Sequence, residues 1–528
     1  MSEVVGSERS VSSGDRRHEL DALRAGAMLL GIALHGALAF YPSPWPVHDS
    51  QQSAAFGTFV AFVHGFRMQL FFVLSGFFTA MIWRRKGLQS LVTNRAQRVL
   101  LPCLLGLVTV LPLFRWVSSV VTQTPAPVTR EFRAGQDANA WDPEFGVTPL
   151  GWAAMQGDLA MAERLVENGA KVNGQNVDGS TPLHGAAFSG HEAVGRFLLA
   201  KGADPKMRNN SGQIPSDAAY ADAGTTQFLY GLLRLPARPF DEIQAGRARL
   251  LPMLPASAAP VPAAPKPSGV RESYHAFLTT SPLAPLVATN VFDHLWFLWH
   301  LCFLVGLFAV WASLEGRRAV ATGMRFRAWV VSPRRFLWLV PLTLVPQAFM
   351  GMYGYTLGPD TGTGWLPPLH LLIYYGVFFF FGVLYFDADD SEGELGRHWY
   401  VSLPTAALVV FPIALVTQPF LRPVSDFLQV SYAWLMVAGS VGLFRRVLSN
   451  ERPPIRYVSD ASYWMYLMHL PLLVALQGVM APIQLAAPVK FLGLMVVSFG
   501  ILLLTYQLLV RNTLIGVLLN GRRAGKAG

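Results

Sequence analysis

The sequence predicts an all-α fold: a polytopic membrane bundle of about ten transmembrane helices, interrupted by a soluble helical-repeat solenoid. Three observations lead there. Hydrophobic residues make up 52% of the 528 and charged residues only 14%, against about a quarter charged in an ordinary soluble chain. Mean hydropathy is +0.36, and apolar runs long enough to cross a bilayer recur along the chain. Between the third and fourth of these runs, the sequence resembles itself at a period of 33 residues, the mark of a repeat architecture.

A span needs roughly 20 apolar residues. Ten stretches fit that template: 20–40, 56–83, 99–121, 294–314, 335–353, 366–386, 400–418, 427–444, 460–480 and 489–510. Residues 1–17 are polar and Ser/Arg-rich and read as a disordered tail; the first run lacks a small-residue cleavage site and is expected to stay as a signal anchor. Lys and Arg gather in alternate loops. Arg84, Arg85 and Lys86 follow the second span, Arg317, Arg318, Arg327 and Arg335 the fourth, and Arg445 and Arg446 the eighth, while a tail over 516–528 carries Arg522, Arg523 and Lys526. With ten spans all of these share one side, which the positive-inside rule makes the cytoplasm, along with both termini. The loop after the sixth span is an exception, with Asp387, Asp389, Asp390, Glu392 and Glu394, but acidic residues weigh little in that rule. The net charge of +10 is therefore topological, and nucleic acid is not an expected partner. Cys103 and Cys302 both fall in spans, so neither a disulfide framework nor a Cys-based metal site is expected.

The membrane part divides into 18–121 and 291–515, with repeats over 135–235 and a Pro/Ala-rich linker over 236–290. "GVTPLGWAAMQGDLAMAERLVENGAKVN" and "GSTPLHGAAFSGHEAVGRFLLAKGADP" start their TPL at Thr148 and Thr181, and Pro215 follows Pro182 by 33 residues. TPL-x-x-A opening a helix at this period is the ankyrin signature. Thr caps the first helix, Pro occupies its first turn and Gly ends the second. Each helix pair buries its face only against its neighbours. Parity puts this insert outside the cytoplasm, and a protein is its expected partner.

Polar residues inside the spans form stripes. Arg24 and His35 are eleven residues apart, about three turns plus 20°, so they share a face some 16 Å apart along the axis. Asp21 joins that face at i−3. In the second span His64, Arg67 and Ser75 are aligned the same way. In the ninth, Ser462, Tyr466 and His469 follow i, i+4, i+7, and Pro471 is expected to end or kink the helix. His294 opens the fourth span beside Trp296. Each residue has a plain reading: Arg24 snorkelling, His35 as a satisfied core histidine, His294 in an interfacial belt, Ser75–Gly76 as a close helix contact. Three separate stripes weigh against plain readings throughout, because ionisable groups at membrane depth mark functional sites. No Cys/His or HExxH pattern is present, so no metal is expected.

"RRHELDALRAGAMLLGIALHGALAF", "HGFRMQLFFVLSGFFTA", "NRAQRVLLP", "HLWFL" at 294 and "SDASYWMYLMHLPL" at 459 together resemble the membrane acyltransferase-3 family, and within it the glucan biosynthesis protein C-like branch. The resemblance covers roughly 16–121 and 290–515, and the repeat insert has no counterpart in the family pattern. It implies an acyl-CoA donor, succinyl-CoA or acetyl-CoA, used from the cytoplasm of an inner or plasma membrane. It also implies a hydroxyl on an extracytoplasmic glycan as acceptor. Carried over by position, His35 is the catalytic histidine, Arg24 its partner toward the donor, and Arg67, Ser75 and His469 occupy family motifs. Acyl transfer needs a base for the hydroxyl proton, and imidazole suits it. Arg24, Arg95 and Arg98 would hold the phosphates of coenzyme A, and Arg67 would stabilise the developing oxyanion or position the thioester carbonyl. His64, His294, Ser462 and Tyr466 are candidate pocket residues with Asp21. Direct transfer and an acyl-histidine route both remain open. So do two other classes, an ankyrin-bearing transporter or channel and a non-catalytic membrane scaffold.

Overall fold

The computed structural model describes residues 17–122, 137–255, 269–315, 324–351, 357–418 and 421–520, apart from 42, 44, 143, 144, 223, 224, 227, 228, 231, 232, 234 and 237. The expected N-terminal tail up to residue 16, Arg317 and Arg318, residues 256–268 of the linker, and Arg522, Arg523 and Lys526 lie outside the described residues. Every regular element among the described residues is helical. They form two compact units, one from 1–41, 49–120 and 271–528, the other from 42–48 and 121–270.

Among the described residues, nine helices of the first unit are long and apolar enough to cross a bilayer. With one shorter helix, α5, they give the order α1 (His18–Phe40), α2 (Ala54–Lys86), α3 (Leu88–Val121), α4 (Asp293–Leu314), α5 (Phe336–Gln347), α6 (Leu369–Asp387), α7 (Trp399–Thr417), α8 (Arg422–Val447), α9 (Pro453–Met480) and α10 (Ala487–Val510). The expected fifth span over 335–353 is thus a 12-residue helix containing Pro341 and Pro346. It rises only about 18 Å. It still runs from one end of the bundle toward the other. Arg335 at its start donates to Leu395 O (2.9 Å), just beyond the end of α6, whereas Gln347 at its end donates to Asp426 Oδ1 (3.3 Å) near the start of α8. Midway, Trp434 Nε1 donates to Thr343 Oγ1 (3.1 Å).

The acidic loop after α6 accounts for its own sign. Asp387 forms a two-pronged pair with Arg84 at the end of α2 (3.0 and 2.8 Å). Asp390 faces Arg445 of α8 at 3.7 Å, and Arg327, between α4 and α5, lies 3.5 Å from Glu394. The acids therefore sit among the basic loops, which meet at a single end of the bundle.

α2 and α6 cross at backbone distance. A Cβ on Gly76 would fall 1.8 Å from Phe379 O, and one on Gly382 would fall 2.0 Å from Val73 O. Lipid gives helices no hydrophobic reason to associate, so small residues that admit close contact hold such crossings.

In the second unit, Pro149–Gln156 with Leu159–Glu167, and Pro182–Ser189 with Glu192–Ala200, are the stacked helix pairs. Thr148 Oγ accepts from Gly151 N (3.0 Å) as the cap. At the equivalent Thr181, the backbone N–H donates to His184 Nδ1 (3.1 Å), and the same ring meets Gln213 O through Nε2 (2.9 Å). Asparagines tie each repeat to the next. Asn139 bonds Gly169 O and Lys171 N, and Asn173 bonds Gly202 O and Asp204 N in the same way. Alanines 153, 154, 186 and 187 with Leu150, Leu183 and Leu198 make the core.

The linker expected over 236–290 needs correction. Phe240–Leu250 is a helix that packs on the second pair, with Leu250 in the core. Its Gly246 meets the backbone of Gly190: a Cβ there would lie 1.9 Å from Gly190 O. Arg247, 1% exposed, donates to Phe188 O (2.9 Å), Ala221 O (2.6 Å) and Thr226 Oγ1 (3.0 Å). Only Phe240, Ile243 and Leu250 carry an apolar pattern there, too sparse to read as amphipathic beside so many prolines. Val270–Thr280 and Ala284–Ala288 are helical as well. The former joins the membrane unit, where Tyr274 OH meets His370 Nδ1 (3.1 Å).

Candidate active site

A cavity of ≈ 350 Å³ opens between α1, α2, α3, α4 and α9. Arg24, Asn94, Arg95, Arg98 and Ser459 line one end, and His35, Arg67, His294, Tyr466 and His469 the other. Ser75 and Ser462 also line it. No aspartate or glutamate is among its described lining residues, so its charge is positive.

The stripes explain this convergence. α1 carries Arg24 and His35 on one face, and the helical rise separates them by about 16 Å. Arg24 donates to Ser459 Oγ of α9 (3.1 Å) and lies 3.5 Å from Asp21, so Asp21 supports the arginine without lining the cavity. α2 runs the other way. Its Arg67 is buried, with one guanidinium nitrogen crossing α1 where Gly31 leaves room: a Cβ on Gly31 would fall 2.3 Å from that nitrogen. Arg67 Nη2 meets Met68 Sδ (3.4 Å), Nε has no partner, and no carboxylate lies within ion-pair distance among the described residues. Ser75 faces the cavity while its neighbour Gly76 makes the contact with α6.

His64 does not line the cavity. One turn before Arg67, it is covered by the turn at Gly358 and bonds Pro359 O (2.8 Å). Shared helical face did not mean shared depth.

In α3 the helix widens into a π turn over Ala96–Leu100, a distortion frequent at functional sites. Arg95 Nη2 donates to Thr79 Oγ1 (2.9 Å), and Tyr463 OH donates to Arg98 O (2.7 Å).

α9 continues through Pro471 to Met480 instead of ending there. Proline withholds the N–H that would have met the carbonyl of residue 467. That carbonyl instead faces His294 Nε2 at 3.2 Å. An acceptor freed by proline is thus used across the helix interface, as buried backbone in lipid requires.

The histidine geometry fixes proton positions. His469 Nδ1 lies 2.6 Å from Tyr466 O and His469 Nε2 lies 2.9 Å from His35 Nδ1. Only a donor suits the carbonyl, so a neutral His469 carries its proton on Nδ1 and accepts at Nε2. His35 must then carry its proton on Nδ1, and the lone pair falls on Nε2. Gln477 Nε2 donates to His35 O (3.2 Å) and Gly36 O (3.0 Å), holding the end of α1 in place. The arrangement presents an oriented imidazole pair at one end and a cluster of guanidinium groups at the other.

Sequence reasoning missed Asn94, Ser459, Tyr463 and Gly31. Ser459 and Tyr463 sit on the side of the Ser462–His469 stripe and a wider stripe includes them; Asn94 and Gly31 carry no such signal.

A family model for an acyltransferase domain matches residues 17–153 and 250–507, and one for ankyrin repeats in three copies matches 124–209. The chain is 39% identical over 108 residues to glucans biosynthesis protein C of Escherichia coli K12, and equally so to those of strains O157:H7 and O1:K1 / APEC. That stretch is 20% of this chain and 27% of each relative. The chain thus spans about a quarter of the length of the curated relatives it matches.

Proposed function

The chain belongs to the acyltransferase-3 family, and from that premise we propose that it is an integral membrane O-acyltransferase moving a succinyl or acetyl group from cytoplasmic acyl-CoA to a hydroxyl of an extracytoplasmic glycan. The observation that carries the reading is one cavity with guanidinium groups at one end and the oriented His35–His469 pair at the other. Arg24, Arg95 and Arg98 suit the phosphates of the donor substrate. The ~16 Å rise from Arg24 to His35 leaves its thioester near the imidazole. The relatives are named for glucan biosynthesis, which supports a glucan-like acceptor.

The chemistry then follows from the residues. His35 Nε2 takes the proton of the acceptor hydroxyl as its oxygen attacks the thioester carbon. Arg67, with no carboxylate at ion-pair distance among the described residues, stabilises the oxyanion. The C–S bond breaks and the coenzyme A sulfur receives the proton from His35, so no proton is gained or lost. An acyl group carried first on His35 Nε2 leaves the same balance. Deleting the gene is expected to remove the acyl ester from envelope glycans, read by mass spectrometry; unaltered ester content rejects the function.

We take the end of the bundle where the basic loops gather as cytoplasmic, in an inner or plasma membrane, with both termini there. With the N-terminus taken as cytoplasmic, the three crossings α1, α2 and α3 that precede the repeat insert put it outside, where its surface takes a protein partner. A cysteine at Ser211, exposed on the repeats, is expected to react with an impermeant maleimide in intact cells. Labelling seen only after lysis reverses the topology.

A further inference from the structure

One cavity atom has neither a partner among the described residues nor a role in the steps above: Nδ1 of His294. The residue is 7% exposed, so this orphan acceptor is costly unless a ligand meets it. Its Nε2 is committed to donating to Leu467 O (3.2 Å), the carbonyl released by Pro471. A neutral ring therefore has its lone pair on Nδ1. The ring cannot easily turn away. Tyr466 OH donates to the carbonyl of His294 (2.6 Å), and the ring stands edge-on to His469 (5.4 Å, 89°) and beside Phe114 (6.4 Å, 68°).

The backbone just before it is strained. Asp293 has φ 40, in the left-handed region that few non-glycine residues enter. Asn290 Nδ2 holds its carboxylate at 2.6 Å and Arg115 Nη2 at 3.2 Å. Such strain persists where the surrounding structure enforces it, often at functional sites. Here it turns the chain into the first residue of the α4 wall.

His35 and His294 pack against the same ring, His469, at 5.0 and 5.4 Å between centroids. The cavity thus sets His294 Nδ1, an acceptor without a partner among the described residues, beside the His35–His469 pair that the proposed transfer uses. We propose that His294 Nδ1 is the acceptor-docking atom, taking a hydrogen bond from a second hydroxyl of the substrate while the reacting hydroxyl faces His35. The acceptor class is therefore a diol, as neighbouring sugar hydroxyls are. This assignment rests on the acyltransfer reading. His294 keeps its protonation state throughout; the reacting proton passes only from alcohol to His35 to sulfur.

The test uses the deletion strain complemented with the full chain, with ester measured per molecule of protein in the membrane. His294→Leu is expected to lower ester content by about 10- to 100-fold, the cost of losing a buried hydrogen bond to substrate. His294→Asn, which still offers an acceptor oxygen, restores most of it. Purified His294→Leu is expected to bind acetyl-CoA or succinyl-CoA as the parent does. Normal ester content in His294→Leu, or loss of its acyl-CoA binding, overturns the assignment. Absence of ester with the parent chain instead removes the acyltransfer reading beneath it.

Discussion

A His35→Ala chain that accumulates normally in the membrane is expected to leave the glycan without its ester, with transfer reduced by about 10³-fold. The size of the effect follows from the orientation of the imidazole. His469 is held by Tyr466 O and in turn fixes His35 through Nδ1, so the ring's second nitrogen is held in one orientation, as the proposed base step needs. The substitution removes the base and, in the acyl-histidine variant, the nucleophile as well. Arg24 and the arginines of α3 remain, so binding of acyl-CoA is expected to survive. Lost transfer with retained donor binding is the signature. Unchanged transfer would reject His35 as the base.

The second large effect is structural. Gly76→Val is expected to prevent α2 and α6 from meeting, because the added carbons fall inside the van der Waals radius of Phe379 O. A backbone atom cannot swing aside as a side chain can. The helices must separate along their length, and the cost is at least about 3 kcal/mol, the upper end of ordinary overpacking. Little monodisperse protein should survive extraction, and its melting temperature should fall. Gly500→Ala is the control, since nothing lies within 4 Å of a Cβ there. Equal stability of the two variants would show that the crossing is not tight. The same change moves Ser75 and the wall of the cavity, so activity should fall with stability.

Much of this was written in the sequence as periodicity. The α1 and α9 stripes, Arg24 with His35 and Ser462 with Tyr466 and His469, all reach one cavity because helical spacing fixes faces. What periodicity does not encode is depth and partners. His64 shares a face with Arg67 but sits a turn away under Gly358. Pro471 reads as a helix end; it became a way to free Leu467 O for His294. α5 looked like a full span because its flanks are apolar, yet it has only 12 helical residues. Phe240–Leu250 was hidden among prolines because its chief anchor is a buried arginine, a residue type that composition assigns to the surface. The acidic loop looked anomalous only while its arginine partners, far away in sequence, were unknown.

The cavity draws α1, α2 and α3 from one side of the insert and α4 and α9 from the other. Those halves leave the ribosome at different times. At roughly 5–20 residues per second, the stretch from α3 to α4, about 170 residues long, takes on the order of ten to thirty seconds to make. During that interval the repeats have time to fold, while Arg67 waits in lipid without the walls that later enclose it. Nascent chains halted in that window should therefore be the ones most readily seized by membrane quality-control proteases.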